Sequence, residues 1–372
     1  MKMTGIIFSN VYDTSLGDLT MRRTVASLPF AGRYRFVDFV LSNMVNSNIS
    51  SIGLITKYNY QSLMDHLGSG LEWDLSRKNA SFYILPPFAS GITNVYRGNL
   101  EALSNAVQFL QSNKPDYVVM CDTTVICNID YERVLKAHIE SGADVTVIAN
   151  KELTAYEADS NDLMLKVDEN DMAYDLSIGQ HMGEGTLVGM GMFIMERNFL
   201  ISIINNYVSR GRYSFEKDFL LSRFVEGDIK INVHTFGGVV LRNHNIVSYF
   251  KNNFKVMKED VRKDIFNRNH PIYTKVRDEA PSFYADSSRV SDCLIADGCM
   301  VAGKVEGSVI FRDVTIDEGA SIKNSVIMQG TVIGKGAKIE NAIIDKDVTV
   351  TPGAILVGGS SSPVIVHKGD TI

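Results

Sequence analysis

The sequence predicts an α/β protein of two unlike parts: a doubly wound, mostly parallel sheet over residues 1–257 and a parallel β-helix over 290–372, with a linker over 258–289. Three observations carry this reading. Apolar runs of strand length alternate with amphipathic helical runs up to about residue 255, as in sheets covered on both faces by helices. From about Val290 the texture changes to aliphatic knobs at a six-residue period. Between the two, a charged stretch holds Pro271 and Pro281, and neither pattern continues through it.

In chain order, IIFSN, IGLIT, YVVMC and ADVTVIAN read as strands. The run NLEALSNAVQFLQSN places Leu100, Leu103, Val107 and Leu110 on one helical stripe, which is a core face. In DYERVLKAHIESGADV, Asp130 is the expected N-cap and Gly142 lies just past the helix end. The stretch from Gly189 through Gly227 reads as a strand followed by two helices, its methionines filling core gaps.

The solenoid can be counted. Ile310, Ile316 and Ile322 are six apart, as are Ile327, Ile333 and Ile339, and Ile344, Val350 and Leu356; each triplet follows the last by seventeen residues. Three short strands per coil, each aiming one knob inward, produce that register. The preceding VSDCLIADGCMVAGKV fits the period less cleanly and is expected to form the first coil. A terminal coil exposes unpaired strand edges, so a cap or a neighbouring subunit is expected there. The linker text KEDVRKDIFNRNHPIYTKVRDEAPSFYA is expected to begin as a helix and end extended.

Composition excludes several classes. Hydrophobic residues make up 45%, charged residues 22%, and the formal net charge is −6, which argues against a general nucleic-acid binder. The local basic clusters Arg22-Arg23 and Arg33-Tyr34-Arg35 read as solvated faces. No apolar run approaches the ~20 residues that span a bilayer, and MKMTGIIFSN lacks the features of a signal peptide, so no membrane association and a cytoplasmic location are expected. Cys121, Cys127, Cys293 and Cys299 form no CxxC pair, and no two of the seven histidines stand at i, i+4. Neither a metal site nor a cofactor site is indicated.

The stretch LPFAGRYRFVDFVLSNMVNSNISSIGLIT, with the solenoid that follows the α/β part, resembles the bacterial ADP-glucose pyrophosphorylase (glucose-1-phosphate adenylyltransferase) family, in particular its GlgD-like regulatory subunit. The resemblance implies a nucleotidyltransferase-type, Rossmann-like sheet and a left-handed β-helix. It covers nearly the whole chain, yet the positions that carry chemistry differ. Where catalytic members have a Gly-Gly-x-Gly-x-Arg loop, this chain reads Ser9-Asn10-Val11-Tyr12-Asp13-Thr14-Ser15: Ser15 replaces the arginine and Asp13 adds a charge that repels phosphate. Val25 replaces the lysine of an Arg-Ala-Lys-Pro run. At the metal-binding Gly-Asp-His, the ungapped match gives Thr123-Thr124-Val125, with Thr124 at the aspartate; a register shifted by two would offer Asp122, expected to point to another side of the strand end. The sugar-site Glu-Lys-Pro matches Ile178-Gly179-Gln180, and Arg242 stands at the second metal aspartate or else is a solvated loop charge.

What the resemblance implies is a regulatory, catalytically deficient subunit, with no catalytic residue, cofactor or metal of its own. It would assemble with the catalytic subunit into a heterotetramer and modulate ADP-glucose synthesis for glycogen; self-association is also plausible. Arg33 and Arg35, in Gly32-Arg33-Tyr34-Arg35, match a segment that holds an activator phosphate, so sugar-phosphate effectors are expected there; structural salt bridges are the competing reading. Tyr96 to Ala102 resembles a nucleotide-side Tyr-Arg-Gly-Thr-Ala-Asp-Ala motif with Asn99, Leu100 and Glu101 replacing its Thr, Ala and Asp. Two alternatives stand: an active nucleotidyltransferase using Asp13, Asp18 or Asp122 with Arg22 or Arg23 replacing the lost arginine, and, more remotely, a hexapeptide-repeat acyltransferase. The second wants a histidine between coils, and Ile310 to Leu356 contains none.

Overall fold

The computed structural model describes residues 1–9, 14–77, 80–87, 96–151 and 161–372. Its first part is built on a nine-stranded sheet. Strands Ser81–Leu85, Ser51–Ile55, Met3–Phe8 and Tyr117–Asp122 run parallel, and Leu187–Glu196 lies antiparallel beside the last of these. Val145–Asn150 pairs antiparallel with the far edge of Leu187–Glu196, and Ile231–Thr235 continues parallel to it. The central strands are unbroken apolar runs because both faces are covered. Ile6, Val118 and Met120 enter one core, while Ile7, Val119 and Cys121 enter the other.

Local chemistry sets the helix ends. The Asp130 carboxylate accepts the Glu132 amide at 2.9 Å, and Gly142 adopts φ 61° to end the helix Tyr131–Ser141, as expected. The stripe Leu100, Leu103, Leu110 is buried, but its helix is two pieces, Asn99–Ser104 and Val107–Asn113. Asn105, at the junction, gives its side-chain amide to the Tyr96 hydroxyl and the Pro86 carbonyl. Among the described residues no helix is long and apolar enough to cross a membrane.

The second part is a triangular prism of three parallel five-stranded sheets, a left-handed parallel β-helix. The counted triplets are in register: Ile310, Ile327 and Ile344 stack, as do Ile316, Ile333 and Val350, and Ile322, Ile339 and Leu356. The first coil departs from the count because it is shorter. Val290 pairs with Val305 and Ile295 with Ile310, a spacing of fifteen residues. The prism also starts earlier than the boundary at 290, since Phe283–Tyr284 is already paired with Met300–Val301. The linker holds a helix, Glu259–Ile265, and then runs extended into that strand.

The two parts share a core. Val309, Val326 and Ile343, pointing outward from one prism face, pack with Phe30, Phe36 and Tyr249. Arg23 is buried there and donates to the Asp345 carboxylate at 2.7 Å, with Asp345 also buried. Arg22 donates to the Lys368 carbonyl at 3.3 Å. The reading of these clusters as solvated faces is therefore corrected for Arg23 and Arg35, which are buried, while Arg22 and Arg33 are exposed as expected.

Candidate functional site

The C-terminal ends of Met3–Phe8 and Tyr117–Asp122 open into two adjoining cavities, of about 90 Å³ and 480 Å³, where ligands of open α/β sheets bind. Phe8, Asn99, Asn161 and Glu216 line both. The smaller contains Asp122, Asp162 and Arg242.

A backbone irregularity makes this floor. The strand Leu187–Glu196 shifts register between Gly189 and Met192, and Gly191 takes φ 66°. A Cβ on Gly191 would overlap the Asp122 carboxylate, so the Gly-Met-Gly bulge creates the space that Asp122 fills. The Gly189 carbonyl accepts Arg242 Nη2, and Arg242 Nη1 donates to Asp162. Both members of that ion pair are buried. Arg242 Nε is buried with no hydrogen-bond partner among the described residues. The reading of Arg242 as a solvated loop charge is thus corrected.

Asp122 accepts the Thr124 amide at 2.7 Å and the Thr124 hydroxyl at 2.8 Å. Asp122 and Thr124 line the same cavity, so the expectation that Asp122 points to another side of the strand end is also corrected. Burial raises the Asp122 pKa, opposed by its bonds to Thr124 and by the Arg242 charge. Burial likewise raises that of Glu216, whose carboxylate accepts the Asn99 amide at 2.8 Å. A resident Mg²⁺, which the fold family implies, requires a near-octahedral set of free oxygen ligands. Here Asp162 is held by a guanidinium, Asp122 is held by Thr124, and the fixed cation lies beside both. The donor set does not fit the ion.

The larger cavity is lined by Ser9, Thr14, Ser15, Lys57, Arg97 and Lys217 among others. Ser15 is exposed at its edge; Asn10 to Asp13 lie outside the described residues. Arg97 lies 3.8 Å from the Tyr213 ring centre and pairs with Glu101 at 2.6 Å, so the carboxylate of the altered nucleotide-side motif turns to its own arginine. Gly98 is required where it stands, because a Cβ would meet the Tyr213 carbonyl. The remaining altered positions carry structure. Val25 is buried in the core shared with the prism, Ile178 packs at a sheet edge, and the Gly179 amide donates to the Asp162 carbonyl at 2.8 Å. The supports of a rearranged active site are elsewhere: Asp18 meets His367 of the prism at 3.3 Å, and Arg22 and Arg23 are held as described above.

A second cleft lies where sheet domain, linker and prism meet, lined by Arg33, Arg35, Lys275, Arg277, Arg312 and Lys346. Arg33 is exposed; Arg35 donates to the Ser62 carbonyl at 2.6 Å, and burial pushes its pKa down to about 10. Burial, then the charges of Arg35 and Arg23, push Lys346 down to about 7. Arg312 Nε is buried without a partner among the described residues. His66, also lining the cleft, is 2.6 Å from the Asp38 carboxylate, but burial outweighs that neighbour and lowers its pKa. Such a set of convergent donors suits a phosphate or sulfate. Arg33 and Arg35 are visible in the sequence; Lys275, Arg277, Arg312 and Lys346 join them only through the fold.

Comparison with known proteins agrees with this architecture. The sequence model of the nucleotidyl transferase family matches residues 4–159, and that of the GlmU-like C-terminal hexapeptide family matches 281–361. The glycogen biosynthesis protein GlgD of Geobacillus stearothermophilus is 38% identical over 371 residues, covering 99% of this chain and 96% of that protein. The chain belongs to this bacterial GlgD and glucose-1-phosphate adenylyltransferase family. GlgD of Bacillus subtilis is 32% identical over 99% of the chain and 96% of its own length. The glucose-1-phosphate adenylyltransferase of Thermosipho melanesiensis is 31% identical over 86% of the chain and 78% of its own length. Within this family fold, sequence reasoning missed Asp162, Glu216 and the bulge at Gly189–Gly191; the close-set glycines of Gly-Met-Gly were the available signal.

Proposed function

We propose that the chain is a regulatory, catalytically deficient subunit of glucose-1-phosphate adenylyltransferase, acting in glycogen biosynthesis. It assembles with the catalytic subunit that makes ADP-glucose from ATP and glucose 1-phosphate. The observation that carries this reading is the buried Arg242–Asp162 pair beside Asp122. Phosphoryl transfer in such a site depends on carboxylates that hold a cation bridging the phosphate oxygens. A guanidinium fixed at that place opposes the cation and consumes a carboxylate. The names of the relatives support the pathway, and the junctional cleft supports an effector role, since an anion there touches sheet domain, linker and prism at once.

Co-expression with a tagged catalytic subunit tests the assembly. The two chains are expected to co-purify as one particle of fixed ratio, with an effector response that differs from that of the catalytic subunit alone. Separate elution of the two chains, with an unaltered response on mixing, contradicts the proposal.

A further inference from the structure

A groove of about 310 Å³ runs between two helical segments of the sheet domain, and it shares no lining residue with the strand-end cavities or the junctional cleft. That is room for a small molecule. Its walls are two stripes of helical spacing: Phe199, Ile203 and Tyr207 on the helix Arg197–Val208, and Phe219, Arg223 and Glu226 along the π-helix Phe215–Leu221 and the short helix Ser222–Val225 that continues it. A π-helix is rare and recurs at functional sites. Ile203 and Phe219 are buried and form the floor, while Phe199 and Tyr207 are half-buried, their ring centres 6.0 and 5.6 Å from that of Phe219.

One end of the groove is cationic. Gly211 takes φ 74°, which turns the chain so that the amides of Arg210 and Arg212 both donate to the Tyr207 carbonyl, each at 3.0 Å. Both arginines then line the groove, with Arg223 on the other wall. Arg223 pairs with Asp228 at 3.0 Å, Arg210 donates to the carbonyl and side-chain oxygens of Asn206 at 2.8 Å, and Arg212 lies 5.8 Å from the Tyr207 ring centre. Among the described residues, neither Arg210 nor Arg212 has a carboxylate partner. Glu226 is the one carboxylate among the described lining residues, and it accepts the Ser222 hydroxyl at 3.2 Å. Three guanidinia against one carboxylate make the groove positive on a chain whose net charge is −6, so the excess is local.

We propose that this groove binds a phosphate monoester carried on a planar ring, the chemistry shared by aryl phosphates and nucleoside monophosphates. The phosphate sits among Arg210, Arg212 and Arg223, whose planar forks match its oxygens, and no existing ion pair of Arg210 or Arg212 has to be broken. A bare anion uses that end alone. A planar ring also covers the aromatic wall of Phe199 and Tyr207, and Ser202 and Asn206 meet its polar substituents. The inference goes beyond the proposed function and is tested without the catalytic subunit.

The test is calorimetric titration of the full chain with phenyl phosphate, adenosine monophosphate and inorganic phosphate, in an Arg33→Ala background that weakens the junctional cleft, with circular dichroism to verify folding. At least one ring-bearing ligand is expected to bind roughly tenfold more tightly than inorganic phosphate, and the tighter of the two names the source. Adding Arg210→Ala or Arg212→Ala weakens that binding roughly tenfold, the loss of a charge-assisted contact. Adding Tyr207→Leu lowers the preference for the ring by about threefold and leaves inorganic phosphate unchanged. Equal affinity for all three ligands, or Arg210 and Arg212 variants that bind as tightly as the background, overturns the proposal. A loss on Lys57→Ala without one on Arg212→Ala places the ligand in the strand-end cavity and overturns it as well.

Discussion

Arg242 Nη1 donates to the Asp162 carboxylate at the floor of the strand-end cavity, and both side chains are shut off from solvent. Removing one member of such a pair leaves the other as an uncompensated buried charge. Arg242→Ala is expected to lower stability by about 3–5 kcal/mol in denaturant titrations. Loss of less than ~1 kcal/mol contradicts the reading of the pair as closed and dry.

The same geometry predicts a response to metal. Wild type is expected to show no rise in Tm on adding Mg²⁺, because the site already holds its cation as a guanidinium. Arg242→Asp places a third carboxylate beside Asp122 and Asp162, so its Tm is expected to rise with Mg²⁺ through ligand linkage. Equal responses from the two proteins count against the substitution of side-chain cation for metal.

Arg23 and Asp345 join the two domains across 322 residues of sequence, and both are buried. Arg23→Ala and Asp345→Ala are each expected to cost about 3–5 kcal/mol, while the double variant costs less than their sum. Strict additivity shows that the two do not act as a pair.

Such long-range pairing marks the limit of sequence reading. The coil register was legible because each knob repeats at a fixed interval, and Asp130 and Gly142 were legible because caps act on adjacent residues. Arg23 looked like a surface charge because nothing local announces a carboxylate in the prism. Asp162 went unnoticed for the same reason, its partner lying 80 residues on. The first coil was obscured by a local fact, a spacing of fifteen residues where the counted triplets that follow use seventeen.

Lys346 gives the junctional cleft a pH dependence. Its folded pKa, about 7, lies below the unfolded value of ~10.4, so the unfolded chain binds more protons between these values. Its contribution to stability therefore rises with pH through that window, and the cost of burying its charge is fully present below about 7. A bound dianion draws the proton back, so anion affinity falls as pH rises above that value. Sulfate, whose charge is constant over this range, is expected to bind more weakly at alkaline than at neutral pH in calorimetric titrations. Lys346→Met flattens the profile, and Arg33→Ala weakens binding at every pH. A pH-independent affinity in the wild type contradicts the role given to Lys346, and an unchanged affinity in Arg33→Ala contradicts that of Arg33.

This fold keeps the scaffold of a nucleotidyltransferase, and the proposed function holds that its strand-end site does not perform the transfer. The most direct measurement is ADP-glucose formation from ATP and glucose 1-phosphate with Mg²⁺, by the purified chain alone and with the catalytic subunit added. The chain alone is expected to give no turnover above background, and the mixture a rate or effector response different from that of the catalytic subunit by itself. Robust Mg²⁺-dependent turnover by the purified chain contradicts it.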